Sequence, residues 1–274
     1  MIEMTLGRLP FHRSRLALAI GMIALFGVAP SLWGQEDLKE LAREARSSVV
    51  LLEVFSATGQ PRGTGTGFFV DEQTLVTNFH VIEGAASARM RLADGGEQVL
   101  SDVMAEDAGA DLAILRVEGA AQRGLSLYAG GMVEPGEEVV VLGNPHGLSG
   151  TLSTGIVSAW RRNEPELEGF GIPLIQITAP ISPGSSGSPV MNREGEVLGV
   201  AVAVHRSGQN LNFAVPVEAL TALLSQVSEE PIYRLGASRT SALIPGSVQN
   251  AGLWRNGILS LLVFGALFLF FRRL

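Results

Sequence analysis

Three short stretches carry side chains suited to nucleophilic catalysis. LVTNFHVIEGA (75–85) places His80 directly after an apolar, strand-like run. DLAILRV (111–117) opens an otherwise apolar run on Asp111. ISPGSSGSP (181–189) crowds Ser185, Ser186 and Ser188 among glycines. A serine hydroxyl is a poor nucleophile at neutral pH, and a neutral imidazole beside it takes its proton as attack begins. A carboxylate on the other ring nitrogen fixes the tautomer and stabilises the imidazolium that forms. Such general-base help is worth roughly 10²–10⁴ in rate. Glycines around a serine also let backbone N–H groups converge on one point, where an oxyanion would be held. The chain order is His, Asp, Ser, and order distinguishes the folds on which these groups recur.

Each stretch has a plainer reading. Gly, Ser and Pro form turns, so 181–189 reads equally as a loop. His80 alone reads as a half-buried histidine, and Asp111 as a strand-start or turn residue. Asp107 is a rival acid but lacks the apolar run after it. GSSGS fails the G-x-S-x-G pattern at its last position, and the order of the three groups is wrong for that hydrolase fold. His146 and His205 read as structural or exposed. No HExxH or comparable ligand spacing occurs, so neither a metal nor another cofactor is expected. Gly63, Gly65 and Gly67 alternate inside a strand-like run rather than at a strand-to-helix turn, which speaks against a phosphate loop.

The elements that would have to position these groups are short strands. VVLLEVF (49–55), TGTGFFV (64–70), TLVT (74–77), ARMRLA (88–93), EQVLSDVMA (97–105) and DLAILRV form one set. EEVVVLG (137–143), TLSTGIVSA (151–159), PLIQITA (173–179), SPVM (188–191), EVLGVAVAV (196–204) and LNFAVPV (211–217) form another. Most are β-branched or alternate apolar with polar residues, and Gly, Asn, Asp or Pro separates them. EDLKELAREARSS (36–48) and VEALTALLSQV (217–227) have helical spacing at either end. Short strands without crossover helices predict an all-β protein of two six-stranded antiparallel β-barrels with short terminal helices, and a cleft where they meet.

At these residues the chain resembles the trypsin-like protease domain of the HtrA/Deg family. GTGTGFFV (63–70), LVTNFHVIEGA, DLAILRV, GNPHGLSGTLSTGIVSA (143–159), ITAPISPGSSGSPVMNREGEVLGVA (177–201) and LNFAVPV match family blocks in the family's order. The resemblance covers about residues 38–227 and implies a chymotrypsin-like fold and peptide hydrolysis through an acyl-enzyme. Setting GSSGSP on the family's GNSGGP implies that Ser186 is the nucleophile. Ser185 then takes the Asn position, and Gly184 and Ser186 supply oxyanion N–H groups. By the same likeness His80 is the base and Asp111 its orienting acid. Ile181 would floor the P1 pocket, which implies small or medium apolar P1 residues. The chain departs from the family in three places. Ser188 replaces a Gly, Phe79 stands where a polar residue is common, and His146 replaces the Phe of GNPFG. Family members also carry a PDZ domain after the protease, whereas the sequence here reads as a tether and an apolar run.

Composition narrows the function classes. The 274 residues are 46% hydrophobic, with a formal charge of −7, which argues against a general nucleic-acid binder. There is no cysteine, so disulfides and thiolate chemistry are excluded. LALAIGMIALFGVA (16–29) follows Arg8, His12, Arg13 and Arg15, so residues 1–34 read as a signal peptide or membrane anchor. GILSLLVFGALFLFF (257–271) ends on Arg272 and Arg273, so 253–274 reads as a membrane segment with a cytoplasmic end. Residues 36–227 are then the protease domain and 228–250 a polar tether. The expectation is an enzyme tethered to a bacterial inner membrane, its domain in the periplasm or exterior, cutting unfolded or envelope proteins. A catalytically silent domain that binds a protein partner at the membrane is the competing class. The oligomeric state is not legible.

Overall fold

The computed structural model describes residues 33–236, apart from 120–121, 163, 165–166, 168 and 203–210. The apolar runs 16–29 and 257–271 lie outside the described residues, as does His205. No helix among the described residues is long and apolar enough to cross a membrane.

The chain opens with helix α1 (Trp33–Ala45) and a 3₁₀ turn, Arg46–Ser48. The first half then runs through β1 (Val49–Phe55), β2 (Pro61–Phe69), β3 (Thr74–Thr77), a one-turn helix α2 (Phe79–Ile82), β4 (Ser87–Arg91), β5 (Glu97–Leu100), β6 (Asp102–Asp107) and β7 (Leu112–Arg116). The second half holds β8 (Glu138–Gly143), a 3₁₀ turn Pro145–Gly147, β9 (Thr151–Arg161), β10 (Leu174–Ile177), β11 (Pro189–Met191), β12 (Val197–Val202) and β13 (Asn212–Pro216), then helix α3 (Val217–Leu224). A two-residue strand, β14 (Tyr233–Arg234), follows.

The all-β class holds, and every pairing between these strands is antiparallel. The second half closes into a six-stranded barrel, β10-β13-β12-β11-β8-β9. The first half differs from the expected six-stranded barrel. It is an eight-stranded sheet in the order β14-β6-β7-β3-β2-β1-β4-β5. The single strand expected over 97–105 breaks at Ser101, giving β5 and β6 different partners: β5 pairs with β4, and β6 with β7. β14 is the other addition, and it comes from the stretch expected to be a tether. Residues 228–236 return along the first sheet, with Ile232 N–H donating to Val103 O and Leu235 N–H to Ser101 O, each at 2.8 Å.

Three apolar clusters explain why so many strands read as continuous apolar runs. Val50, Leu52, Val54, Phe69, Ala113 and Leu115 fill the first sheet's interior. Val139, Val141, Leu198 and Ala201 fill the second barrel. Their neighbours of opposite parity, Val49, Phe68, Leu112, Ile114, Val140, Leu142, Val197 and Val200, form a third cluster shared by both halves. Alternate side chains point to opposite faces of a strand, so a strand at the seam is buried on both.

Candidate active site

Asp111 and His80 meet through two hydrogen bonds. The His80 backbone N–H donates to Asp111 Oδ1 at 2.8 Å, and His80 Nδ1 lies 2.7 Å from Asp111 Oδ2. An ionised carboxylate only accepts, so Nδ1 carries the proton and Nε2 presents its lone pair outward. The exposures suit that division, at 10% for the Asp111 side chain against 44% for His80. Local sequence explains the meeting. Thr77 ends β3, Asn78 leaves it extended, and α2 turns His80 back toward β7. There, Asp111 precedes β7 with φ +55, a left-handed conformation that Asp tolerates better than most residues. Asn78 is fully buried, and its Nδ2 donates to Asp111 O at 2.8 Å, pinning that backbone. Asp107 is exposed and engaged elsewhere, its Oδ1 accepting the N–H groups of Gly109 and Ala110 at the turn before Asp111.

The loop 182–188 is fixed carbonyl by carbonyl. Pro183 O accepts from His146 N at 2.8 Å, Ser185 O from Ser188 N at 3.0 Å, and Ser186 O from Thr66 N at 2.8 Å. Gly184 O accepts the Thr66 hydroxyl at 2.8 Å. A trans peptide is planar, with its C=O and N–H pointing in opposite directions. Holding the carbonyls of Pro183 and Ser185 therefore aims the N–H groups of Gly184 and Ser186 to the other side of the loop. Glycine is required here: Gly184 and Gly187 have φ +95 and +87, and a Cβ on Gly187 would overlap Thr66 O. Gly187 N–H donates to Ala201 O at 3.0 Å, and Ala201 N–H returns to Ser188 O at 2.8 Å, tying the loop to β12.

The two halves of the site share one seam. Thr66, on β2, holds Gly184 O and Ser186 O, and Thr66 O accepts the Thr77 hydroxyl at 2.7 Å. Thr77 ends the strand that delivers His80 three residues later. Ser186 and His80 are thus anchored to the same pair of strands. Ile181 is half-buried against the second barrel's core, and its N–H donates to Asn212 Oδ1 at 3.3 Å. Thr66, Thr77 and Asn144, whose hydrogen bonds join the halves, were not legible in the sequence. Their only signal was the glycine on either side of Thr66.

Comparison with known proteins agrees with this geometry. Residues 65–200 match the family described as Trypsin-like peptidase domain. A Synechocystis protein named as the serine protease HhoB is 37% identical over 163 residues, covering 57% of this chain and 38% of its own length. A Hahella chejuensis protein named as a DegP-like periplasmic serine endoprotease is 35% identical over 181 residues, covering 65% and 38%. A solved structure of the HtrA-type protease AlgW with a tripeptide superposes with a TM-score of 0.61 at 26% identity, covering 68% of this chain and 62% of that one. Residues 65–200 are a trypsin-like peptidase domain, similar to those of HtrA/Deg proteases. The chain spans about two fifths of the length of those two curated relatives.

Within this trypsin-like domain, the departures from the HtrA/Deg motifs have local consequences. His146 is exposed and takes φ +52 in the turn after Asn144, so its side chain points into the open while its N–H holds Pro183. Phe79 is half-buried in α2 beside His80. Ser188 is fully buried, and among the described residues its hydroxyl finds no hydrogen-bond partner. It fits because residue 143 is glycine, whose missing Cβ would occupy the space of Ser188 Oγ.

Proposed function

We propose that the chain is a serine endopeptidase working through His80, Asp111 and Ser186. The observation that carries this reading is the paired hydrogen bond from His80 to the buried Asp111 carboxylate, which leaves Nε2 as the acceptor. Ser186 Oγ attacks the scissile carbonyl carbon while its proton passes to Nε2. The carbonyl oxygen becomes an oxyanion facing the N–H groups of Gly184 and Ser186, a contribution of about 10²–10³ in rate per donor. Collapse expels the amine, which takes the proton from the imidazolium and leaves an ester on Ser186. Water, deprotonated by the same imidazole, then hydrolyses that ester.

Ile181 supports small or medium apolar P1 residues. The names of the relatives support a polypeptide substrate in the periplasm. The two terminal apolar runs support a membrane tether. Unfolded or envelope proteins are the substrate class that fits this placement.

A fluorophosphonate probe tests the chemistry. The wild type should be labelled, and Ser186→Ala and His80→Ala should not. A folded wild type that never labels would instead favour a silent, partner-binding domain. Release of the full-length protein by carbonate washing of membranes would refute the tether.

A further inference from the structure

We infer that Thr66 is a positioning residue that sets the oxyanion donors from the first sheet, an inference that rests on the reading of Ser186 as nucleophile. Every polar atom of Thr66 is committed to the catalytic seam. Its hydroxyl donates to Gly184 O at 2.8 Å and accepts from Asn144 N at 3.0 Å. A hydroxyl has one proton, and Asn144 N–H can only donate, so the direction of both bonds is fixed. The Thr66 N–H holds Ser186 O, and Thr66 O receives the Thr77 hydroxyl.

The consequence runs to both candidate donors. Gly184 O and Ser186 O bracket the nucleophile, so one residue fixes the peptide on either side of the Ser185–Ser186 pair. Asn144 N, on the same hydroxyl, anchors the turn from which His146 N–H holds Pro183 O. That carbonyl belongs to the peptide carrying the Gly184 N–H. Losing the Thr66 hydroxyl would therefore free Gly184 O directly and loosen Pro183 O through two intervening residues. The flanking glycines now have a reason. A Cβ at residue 65 would strike Val81, and one at 67 would crowd Leu52 and Val76 O, so these glycines let β2 pack tightly against its own sheet on either side of Thr66. Thr66 itself is fully buried, which keeps water from substituting for its hydroxyl.

The test is Thr66→Val, which keeps the shape and removes the hydroxyl, with Thr66→Ser as the conservative rescue and Thr66→Ala should the valine variant not fold. On full-length protein, Thr66→Val should lower kcat by about 10- to 100-fold, with KM changed less than about threefold. Affinity for a peptide boronate, which mimics the tetrahedral species, should fall by the same factor as kcat/KM. Thr66→Ser should recover to within about threefold of wild type. A residue that merely supported the fold would lower the denaturation midpoint but leave kcat per folded active site unchanged, and that result would overturn the inference.

Hydrogen exchange of the Ser185, Gly187 and Ser188 amides gives a readout independent of activity. Faster exchange in Thr66→Val, restored in Thr66→Ser, supports the inference even if the wild type proves inert, an outcome that would refute only the proposed function. Unchanged exchange overturns it.

Discussion

Asp111 sits in a left-handed conformation and feeds both carboxylate oxygens to one histidine. Asp111→Asn keeps the size but swaps an acceptor for an NH₂ donor. The proton on His80 then moves to Nε2, where it blocks the serine. We expect kcat to fall by about 10⁴, with little change in stability, measured by peptide hydrolysis against an unfolding curve. Ser188 gives a prediction of the opposite kind. A buried hydroxyl without a partner costs about 1–3 kcal/mol in desolvation. Ser188→Ala keeps the packing and should raise the denaturant midpoint by the equivalent of about 1 kcal/mol. A lower midpoint would mean that the hydroxyl is satisfied. At this scale the candidate groups His80, Asp111 and Ser186 stood out because each sits in a distinctive stretch. Thr66 and Asn144 were not, since a threonine in a strand and an asparagine in a turn are ordinary until their partners are known. Those partners lie 118 residues away for the Thr66–Gly184 bond and 94 for the Asn144–Val50 bond.

Turns and loops set the site's tolerances. Gly187→Ala should abolish activity and cost several kcal/mol, since its φ is positive and a Cβ would collide with Thr66 O. Solubility and the unfolding midpoint would register it. The turn joining β2 to β3 offers a milder, pH-dependent test. Burial tends to raise the Asp71 pKa. The N–H groups of Gln73 and Thr74 and the Thr74 hydroxyl outweigh it, and the carboxyl sits below its ordinary value. A depressed folded pKa adds stability at pH above the unfolded value, and that stability is lost as pH falls through the folded one. Because Asp71 is exposed, solvent screening keeps the gain under about 1 kcal/mol. The stability difference between wild type and Asp71→Ala should therefore shrink in acid; a constant difference would assign the effect to packing. Element positions were largely readable from alternation and turn residues. The break at Ser101 was not, because Ser101 and Asp102 read as polar positions within one alternating strand, and only the strand partners reveal two.

Across the whole molecule, the shared apolar cluster makes the halves depend on each other. Val49, Phe68, Leu112 and Ile114 of the first half bury themselves among Val140, Leu142, Val197 and Val200 of the second. Unfolding either half would bare the other's face, so calorimetry should show one transition rather than two. Two separated peaks would mean that the seam is weaker than its burial implies. The architecture of two β halves was readable from strand spacing, but their interdependence was not. A strand buried on both faces and one buried in a single sheet core give the same apolar letters.

The return of residues 228–236 onto the first sheet has a mechanical meaning. Arg116 donates to the carbonyls of Ser228 and Glu229, Tyr233 OH reaches Glu106, and Arg234 pairs with Asp102. A pull on the chain beyond residue 236 loads Leu235 first, then the two-residue strand, then the arginine clip. Only after these yield does tension reach α3 and the packed interior. By its place in the chain, this strip would have to detach before such a load reached the strands that carry His80 and Asp111.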